Sequence, residues 1–194
     1  MIDLWLPPMP AIIRPHIEKA SFLPGMFPAG AAAAVVGTFP QVQGTNNGGT
    51  SGFTTAASFN APLPSGIQAG ELLVLFVAAG PFGGGTADII APSGWTQLFH
   101  TANTDRFGCY YKVATGSEGA TVAVSTTGNR SWATNSYRVS GYQGTPVAGT
   151  SATGATASPN PPSVSPSWGS AKTLWIACEA DFSGANTAPS NPTN

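Results

Sequence analysis

Hydrophobic and polar positions alternate in short runs along most of the chain, and turn-forming residues separate these runs. Runs of this kind predict β-strands where Gly, Pro, Asn and Ser bound them. The predicted strands cover residues 35–43, 54–60, 71–79, 95–101, 107–114, 120–126, 131–140, 147–156 and 173–180. The predicted turns are Asn47-Gly48-Gly49, Pro62-Leu63-Pro64-Ser65-Gly66, Gly83-Gly84-Gly85, Pro92-Ser93-Gly94 and Gly128-Asn129.

The run at residues 72–77 is continuously apolar. It predicts a strand that is buried on both faces and lies at the centre of its sheet. No amphipathic helix pattern follows residue 22. Short strands at this spacing predict an all-β fold, an antiparallel β-sandwich of jelly-roll or immunoglobulin-like type, over residues 33–194. Residues 189–194 echo the turn at 92–96, so we expect a last strand to be missing from this sequence.

Residues 1–32 follow a different pattern. Prolines at positions 7, 8, 10 and 15 exclude a helix and favour an extended backbone. The segment also holds large apolar residues that a solvated linker would not expose. We therefore predict an extended N-terminal arm that docks onto a partner, although it could instead pack on its own domain. The predicted docking residues are Leu4, Trp5, Leu6, Pro7, Pro8, Ile12, Ile13, Phe22, Leu23, Met26 and Phe27.

The chain carries few charges, which narrows the classes of partner. Charged residues make up 8% of the chain and the net charge is −1, with Arg and Lys scattered singly. Nucleic acids and anionic membranes attract clustered cations, so we predict neither as a partner. The apolar run at 72–79 is too short to span a bilayer. The start of the chain lacks the basic region of a signal peptide, so we expect synthesis in the cytoplasm.

Residues that could carry catalysis are few and scattered. The histidines are His16 and His100, and no G-x-S-x-G motif is present. Glu179 and Asp181 would share one face of a strand, but such pairs are common and we interpret this one as structural. We predict no catalytic residue and no cofactor.

The two cysteines lie in separate strand-like runs, and the Cys/His spacing of a zinc site is absent. We interpret Cys109 and Cys178 as small buried apolar residues and predict no metal site. A disulfide between them would require a favourable geometry, which a sequence does not reveal.

Aromatic residues are better candidates for binding, because their rings can stack on the C–H faces of sugars. Most aromatic residues in a β-sandwich belong to the core. Trp95 follows a turn and Trp175 lies in an apolar run, so we predict that both are buried. The aromatic residues that we expect to be exposed, and so available to a glycan, are Trp132, Tyr142 and Trp168.

Two parts of the sequence resemble phage and prophage virion proteins. The opening M-I-D-L-W-L-P-P-M-P-A-I-I-R-P, followed by S-F-L-P-G-M-F-P-A-G, is similar to a leader found on varied phage tail and appendage proteins. The body is similar to a β-sandwich module of tail-fibre-like proteins. The motifs that carry this similarity are P-S-G-W-T (92–96), Y-Y-K-V-A-T-G-S-E (110–118), Y-R-V-S-G (137–141) and T-L-W-I-A (173–177).

The resemblance implies a virion structural protein: a short tail fibre, a receptor-binding appendage or a head decoration, assembled in the host cytoplasm. Its partners would be capsid or tail subunits, bound through the arm, and further copies in a homo-oligomer, by analogy a trimer. The alternative is a carbohydrate-binding module for host surface glycan, and the two roles can coexist. A polysaccharide-degrading enzyme ranks last.

Overall fold

The structure is a computed structural model that describes residues 39–49, 55–80, 87–101, 106–149, 165 and 173–180. These residues form an all-β fold without a helix, as predicted. One antiparallel sheet contains all seven strands. The strands are β1 (Gln41–Gly49), β2 (Ala56–Pro62), β3 (Leu72–Gly80), β4 (Ile89–Ile90), β5 (Thr96–His100), β6 (Arg106–Val113) and β7 (Thr121–Ser140).

Strand β7 is 20 residues long and joins two groups of strands. Its first half pairs with β2 on one side and with β4 on the other. Its second half pairs with β1 and β3, and the order across that group is β1-β7-β3-β6-β5. Both groups therefore depend on this one strand.

Strand β3 is buried on both faces along its whole length, which confirms the prediction made from its continuous apolar run. Its two faces belong to different apolar clusters. The first cluster comprises Ala61, Leu75, Val77, Ala79, Ile89, Tyr110, Val124 and Trp132. The second cluster comprises Leu72, Val74, Phe76, Cys109 and Val139. Full burial of each large side chain stabilises the fold by roughly 1.5–3 kcal/mol.

The turn predicted at Gly128-Asn129 is wrong, because these residues lie inside β7. Ala56 of β2 pairs with Arg130 of β7, and Ser58 pairs with Ser125. One residue of β2 therefore lies opposite four residues of β7. The extra residues form a bulge, which is the alternative meaning of glycine within a strand pattern. Thr126 stabilises the bulge by donating its hydroxyl hydrogen to the carbonyl of Gly128.

The turn predicted at Asn47-Gly48-Gly49 is also wrong, because these residues end β1. A Cβ atom at Gly48 would lie 2.5 Å from Cδ of Pro62, and one at Gly49 would lie 2.6 Å from the carbonyl oxygen of Trp132. Here glycine allows β1 to approach its neighbours closely. The Ser65-Gly66 and Ser93-Gly94 turns agree with prediction.

Residues 173–180 form no strand, contrary to prediction. Their side chains nevertheless alternate in direction as in a strand, since every second one, from Leu174 through Ile176 to Cys178, packs against the second cluster. The segment therefore covers one face of the sheet with its side chains, and its backbone does not pair with the sheet as a further strand. The end of the strand predicted at 147–156 lies outside the described residues, and 147–149 form no strand.

The chain divides into two units, Met1–Val35 and Val36–Asn194. The predicted arm falls within the first unit, which lies outside the described residues, and it stays a prediction. All seven strands belong to the second unit.

Candidate functional site

The face of the sheet that carries the second cluster changes from apolar to polar between β6 and β1. Cys109 on β6 lies opposite Phe76 on β3. Phe76 lies opposite Asn135 on β7, and Asn135 lies opposite Asn47 on β1. Residues 173–180 pack on the apolar part. Asn47 and Asn135 are exposed.

Two adjoining hollows open where the polar part of this face meets the apolar part. One has a volume of about 250 Å³, and its lining includes Phe76, Phe107 and Glu179. The other has a volume of about 320 Å³ and is lined by Thr45, Asn46, Asn47, Asn135 and Tyr137. Because Asn47 and Asn135 line both hollows, we treat them as one site and call it the amide groove.

Aromatic rings pack together beside the amides of the groove. Phe76 stacks on Phe107, with ring centroids 6.1 Å apart and an angle of 15° between the rings. Tyr137 meets Phe76 edge-on at 6.0 Å and 87°. Desolvation raises the pKa of the Tyr137 phenol, and the nearby Cys178 acts in the same direction. Packing of this kind holds the rings in place, so the groove has a rigid aromatic part.

The side chains of Asn47 and Asn135 make few hydrogen bonds to the sheet. The side-chain amide of Asn47 has no hydrogen-bond partner among the described residues, and only its backbone nitrogen donates, to Oδ1 of Asn46. Asn135 lies beside Cys178: burial raises the pKa of this thiol to about 11, although a hydrogen bond with Asn135 opposes the rise. Amides with unused donors and acceptors on a concave surface can bind a polar ligand.

Trp132, predicted to be exposed and to contact a glycan, is 3% exposed and belongs to the first cluster. Its indole nitrogen donates a hydrogen bond to the carbonyl of Ala56 at 3.0 Å, and its ring stacks on Phe59. The expected exposure is therefore wrong. Trp132 lies on the inward-facing side of β7, where every second residue from 130 to 136 is buried.

The other aromatic predictions have mixed outcomes. Tyr142 is half-buried and packs against the second cluster. Trp175 is 57% exposed, so the prediction that it is buried is wrong. Leu174 and Ile176 face the sheet, and the residue between them consequently faces away. Trp168 and the eleven predicted docking residues of the arm lie outside the described residues.

A second group of polar side chains lies near the start of β4. Nε2 of His100 is 2.8 Å from Oδ1 of Asp88, and Nε of Arg106 is 3.6 Å from the same oxygen. The backbone of Asp88 exchanges hydrogen bonds with Thr127 on β7. This carboxylate links β4 to the ends of β5 and β6, so we interpret the group as structural.

Cys109 and Cys178 are both free thiols within the second cluster and the residues packed on it. Burial raises the pKa of Cys109 to about 12, and the neighbouring Cys178 adds to the rise. Both thiols are therefore protonated at neutral pH and poorly nucleophilic. In the described part of the chain, no three His, Cys, Asp or Glu residues are close enough to hold a metal ion.

Sequence reasoning missed the amide groove for two reasons. Asn47 precedes two glycines and looked like part of a turn. Asn135 lies in an alternating run that places Trp132, Thr134 and Ser136 on one face and Ala133, Asn135 and Tyr137 on the other. That alternation was a usable signal, but the pairing of the two asparagines depends on β1 and β7 being neighbours.

Comparisons with protein-family models, with curated proteins and with solved structures find no match to this chain. Among the residues that the structure describes, none belongs to a helix that could cross a membrane.

Proposed function

We propose that this chain is a structural protein of a bacteriophage virion, forming a short appendage on the head or the tail. Residues 1–32 would attach it to neighbouring capsid or tail subunits, and the remainder would project outward as a homo-oligomer. The proposal starts from the leader-like sequence at residues 1–15 and from the four motifs in the body.

One structural observation carries the proposal: motifs that resemble phage modules occupy scaffold positions. Gly94 in P-S-G-W-T has a φ of 77°, and Gly116 in the motif at 110–118 has a φ of 83°. Side chains other than glycine rarely adopt this backbone conformation. These two motifs therefore include turns of the sheet, as we would expect of the scaffold of a shared module.

We also propose that the sheet is a sandwich of jelly-roll or immunoglobulin-like type. The first cluster supports this, because it joins Ala61 and Val124 of the β2/β4 group with Leu75 and Tyr110 of the other group. Apolar contacts between two groups of paired strands are what the interior of a sandwich requires.

The charged side chains support a structural or binding role over an enzymatic one. Arg138 pairs with Glu71 at 2.9 Å, and Lys112 pairs with Glu118 at 3.1 Å. Arg130 is 1% exposed and donates hydrogen bonds to two backbone carbonyls. These groups stabilise turns and strand ends, whereas catalysis needs charged groups that converge on one cleft.

The test is to replace residues 1–30 by a Gly/Ser linker of equal length in phage particles. We expect the variant to remain folded but to be absent from purified particles, because the arm would make the contacts with neighbouring subunits. Unmodified protein gives the reference copy number. Normal incorporation of the variant would refute attachment through the arm.

A second candidate function is recognition of a host surface glycan. The observation that favours it is the amide groove, in which exposed amides lie next to aromatic rings. This function is compatible with a place in the virion, because the groove belongs to the unit that follows the arm.

A further inference from the structure

We infer that the amide groove binds a neutral saccharide, with Asn47 and Asn135 donating and accepting hydrogen bonds to its hydroxyl groups. The inference rests on the second proposed function and assigns it a site and a ligand class. The two asparagines lie directly opposite each other on paired antiparallel strands. Their Cβ atoms are therefore about 5 Å apart, close enough to contact a single sugar ring.

The chemistry of the amides matches a polyol. Each carboxamide offers one acceptor oxygen and two donor hydrogens. A sugar hydroxyl is both donor and acceptor, so it can use either end of a carboxamide. Thr45 and Tyr137 lie opposite each other two residues along the same strands, which adds hydroxyl groups to this row.

The groove also favours a ligand without negative charge. None of the residues that line the two described hollows is Lys or Arg. Glu179 lines one hollow, and the negative charge of its carboxylate would repel an acidic sugar. Phe107 lines one hollow and Tyr137 lines the other, and both are half-buried, so each hollow has an aromatic residue that the apolar face of a sugar can contact.

Stability does not explain Asn47. Asn is depleted in β-strands, where Thr and Val are favoured, and this residue is exposed. Its side chain has no hydrogen-bond partner among the described residues, whereas Asn135 hydrogen-bonds Cys178. An Asn at position 47 of β1 therefore costs some stability, as residues kept for binding often do. Asn46 differs, because its amide hydrogen-bonds the carbonyl of Leu63 and supports the fold.

The experiment applies the full chain to an array of neutral and uronic-acid-containing oligosaccharides, followed by titration with the strongest neutral hit. We expect binding to neutral members. Asn47→Ala and Asn135→Ala should each weaken the affinity by roughly three- to tenfold, the value of one or two neutral hydrogen bonds. Asn60→Ala is the matched control, because it removes an exposed strand amide on β2, away from the groove; its affinity should not change.

A second variant separates binding from folding. Asn47→Thr should leave the melting temperature unchanged or higher, because the Asn47 side chain has no hydrogen-bond partner among the described residues and Thr favours strands, and it should still weaken binding. In the unmodified chain, the side-chain amide signals of Asn47 and Asn135 should shift on titration in ¹⁵N NMR spectra, and those of Asn60 should not.

The possible outcomes show separately whether the amide groove is the binding site and whether the protein recognises glycans at all. Saccharide binding that survives both alanine substitutions would overturn the groove and leave glycan recognition standing. A blank array or binding to acidic sugars alone would overturn the inference, and a blank array would overturn glycan recognition as well. Incorporation into particles is measured separately and is unaffected by either result.

Discussion

The turn after β6 is organised by the side chain of Glu118. One carboxylate oxygen accepts a hydrogen bond from the backbone nitrogen of Thr115 at 2.8 Å and lies 3.1 Å from Nζ of Lys112. The other oxygen accepts from the backbone nitrogen of Gly116 at 2.9 Å. Desolvation alone would raise the pKa of this carboxyl, but the hydrogen bonds dominate and lower its pKa to about 2.

We predict that Glu118→Gln destabilises the fold in a pH-dependent way. Because the folded pKa lies below the ordinary value of 4.5, the ionised carboxylate stabilises the native state above that pH. This contribution is lost as the pH falls toward 2. Urea unfolding should show a loss of about 1 kcal/mol at pH 7, since the pair is partly solvated.

The control for this prediction is the same comparison near pH 2, where about half of the Glu118 carboxyl is protonated in the folded protein and most of its contribution to stability is lost. There the two proteins should unfold at similar urea concentrations. An equal loss at both values of pH would show that the ionised form is not responsible.

The segment 173–180 acts as a cover rather than a strand. Leu174, Ile176 and Cys178 pack against the second cluster, while Trp175 faces away and is 57% exposed. Without this cover, the face of the sheet around Phe76 would be exposed to water. The segment therefore covers the apolar part of the face, and its end, from Cys178 to Ala180, lines the amide groove.

A pair of substitutions tests this arrangement. Ile176→Ala should lower the free energy of unfolding by about 1–2 kcal/mol, less than the roughly 2–5 kcal/mol typical of a fully buried Ile, because Ile176 is only half-buried. Trp175→Ala removes a larger side chain but should change stability by less than about 0.5 kcal/mol. Chemical denaturation of both variants measures the difference, and a larger loss for Trp175→Ala would contradict the described orientation.

At the scale of the whole molecule, the division at Val35 and Val36 separates the leader-like sequence from every strand of the sheet. The two apolar clusters and the residues packed against them lie between Phe59 and Cys178. Both clusters therefore lie in the second unit, which contains what an independent fold requires.

We predict that Val36–Asn194 folds without the first unit. Circular dichroism should show the same β-type spectrum as the full chain, and the melting temperature should stay within about 5 °C, since no cluster residue is removed. A broad transition or the loss of the β signal would show instead that the first 35 residues complete the core.

Local pattern determined the fold class and the central strand of this protein. The continuous apolar run of β3 and the alternation of apolar and polar residues in β6 and β7 involve only residues that are near in sequence, so a local pattern is enough to predict these strands. The turn residues at Ser65-Gly66 and Ser93-Gly94 were predictable for the same reason, because their backbone preferences are local.

Only the tertiary structure decided which glycines lie in turns and which asparagines lie side by side. The sequence predicted turns at Gly48 and Gly128, but Gly48 permits the close approach of Pro62 and Gly128 lies in a bulge. Likewise, the amide groove depends on β1 lying beside β7, a pairing between residues about ninety positions apart in the chain. Burial and strand neighbours are set by such long-range contacts, which no local pattern contains.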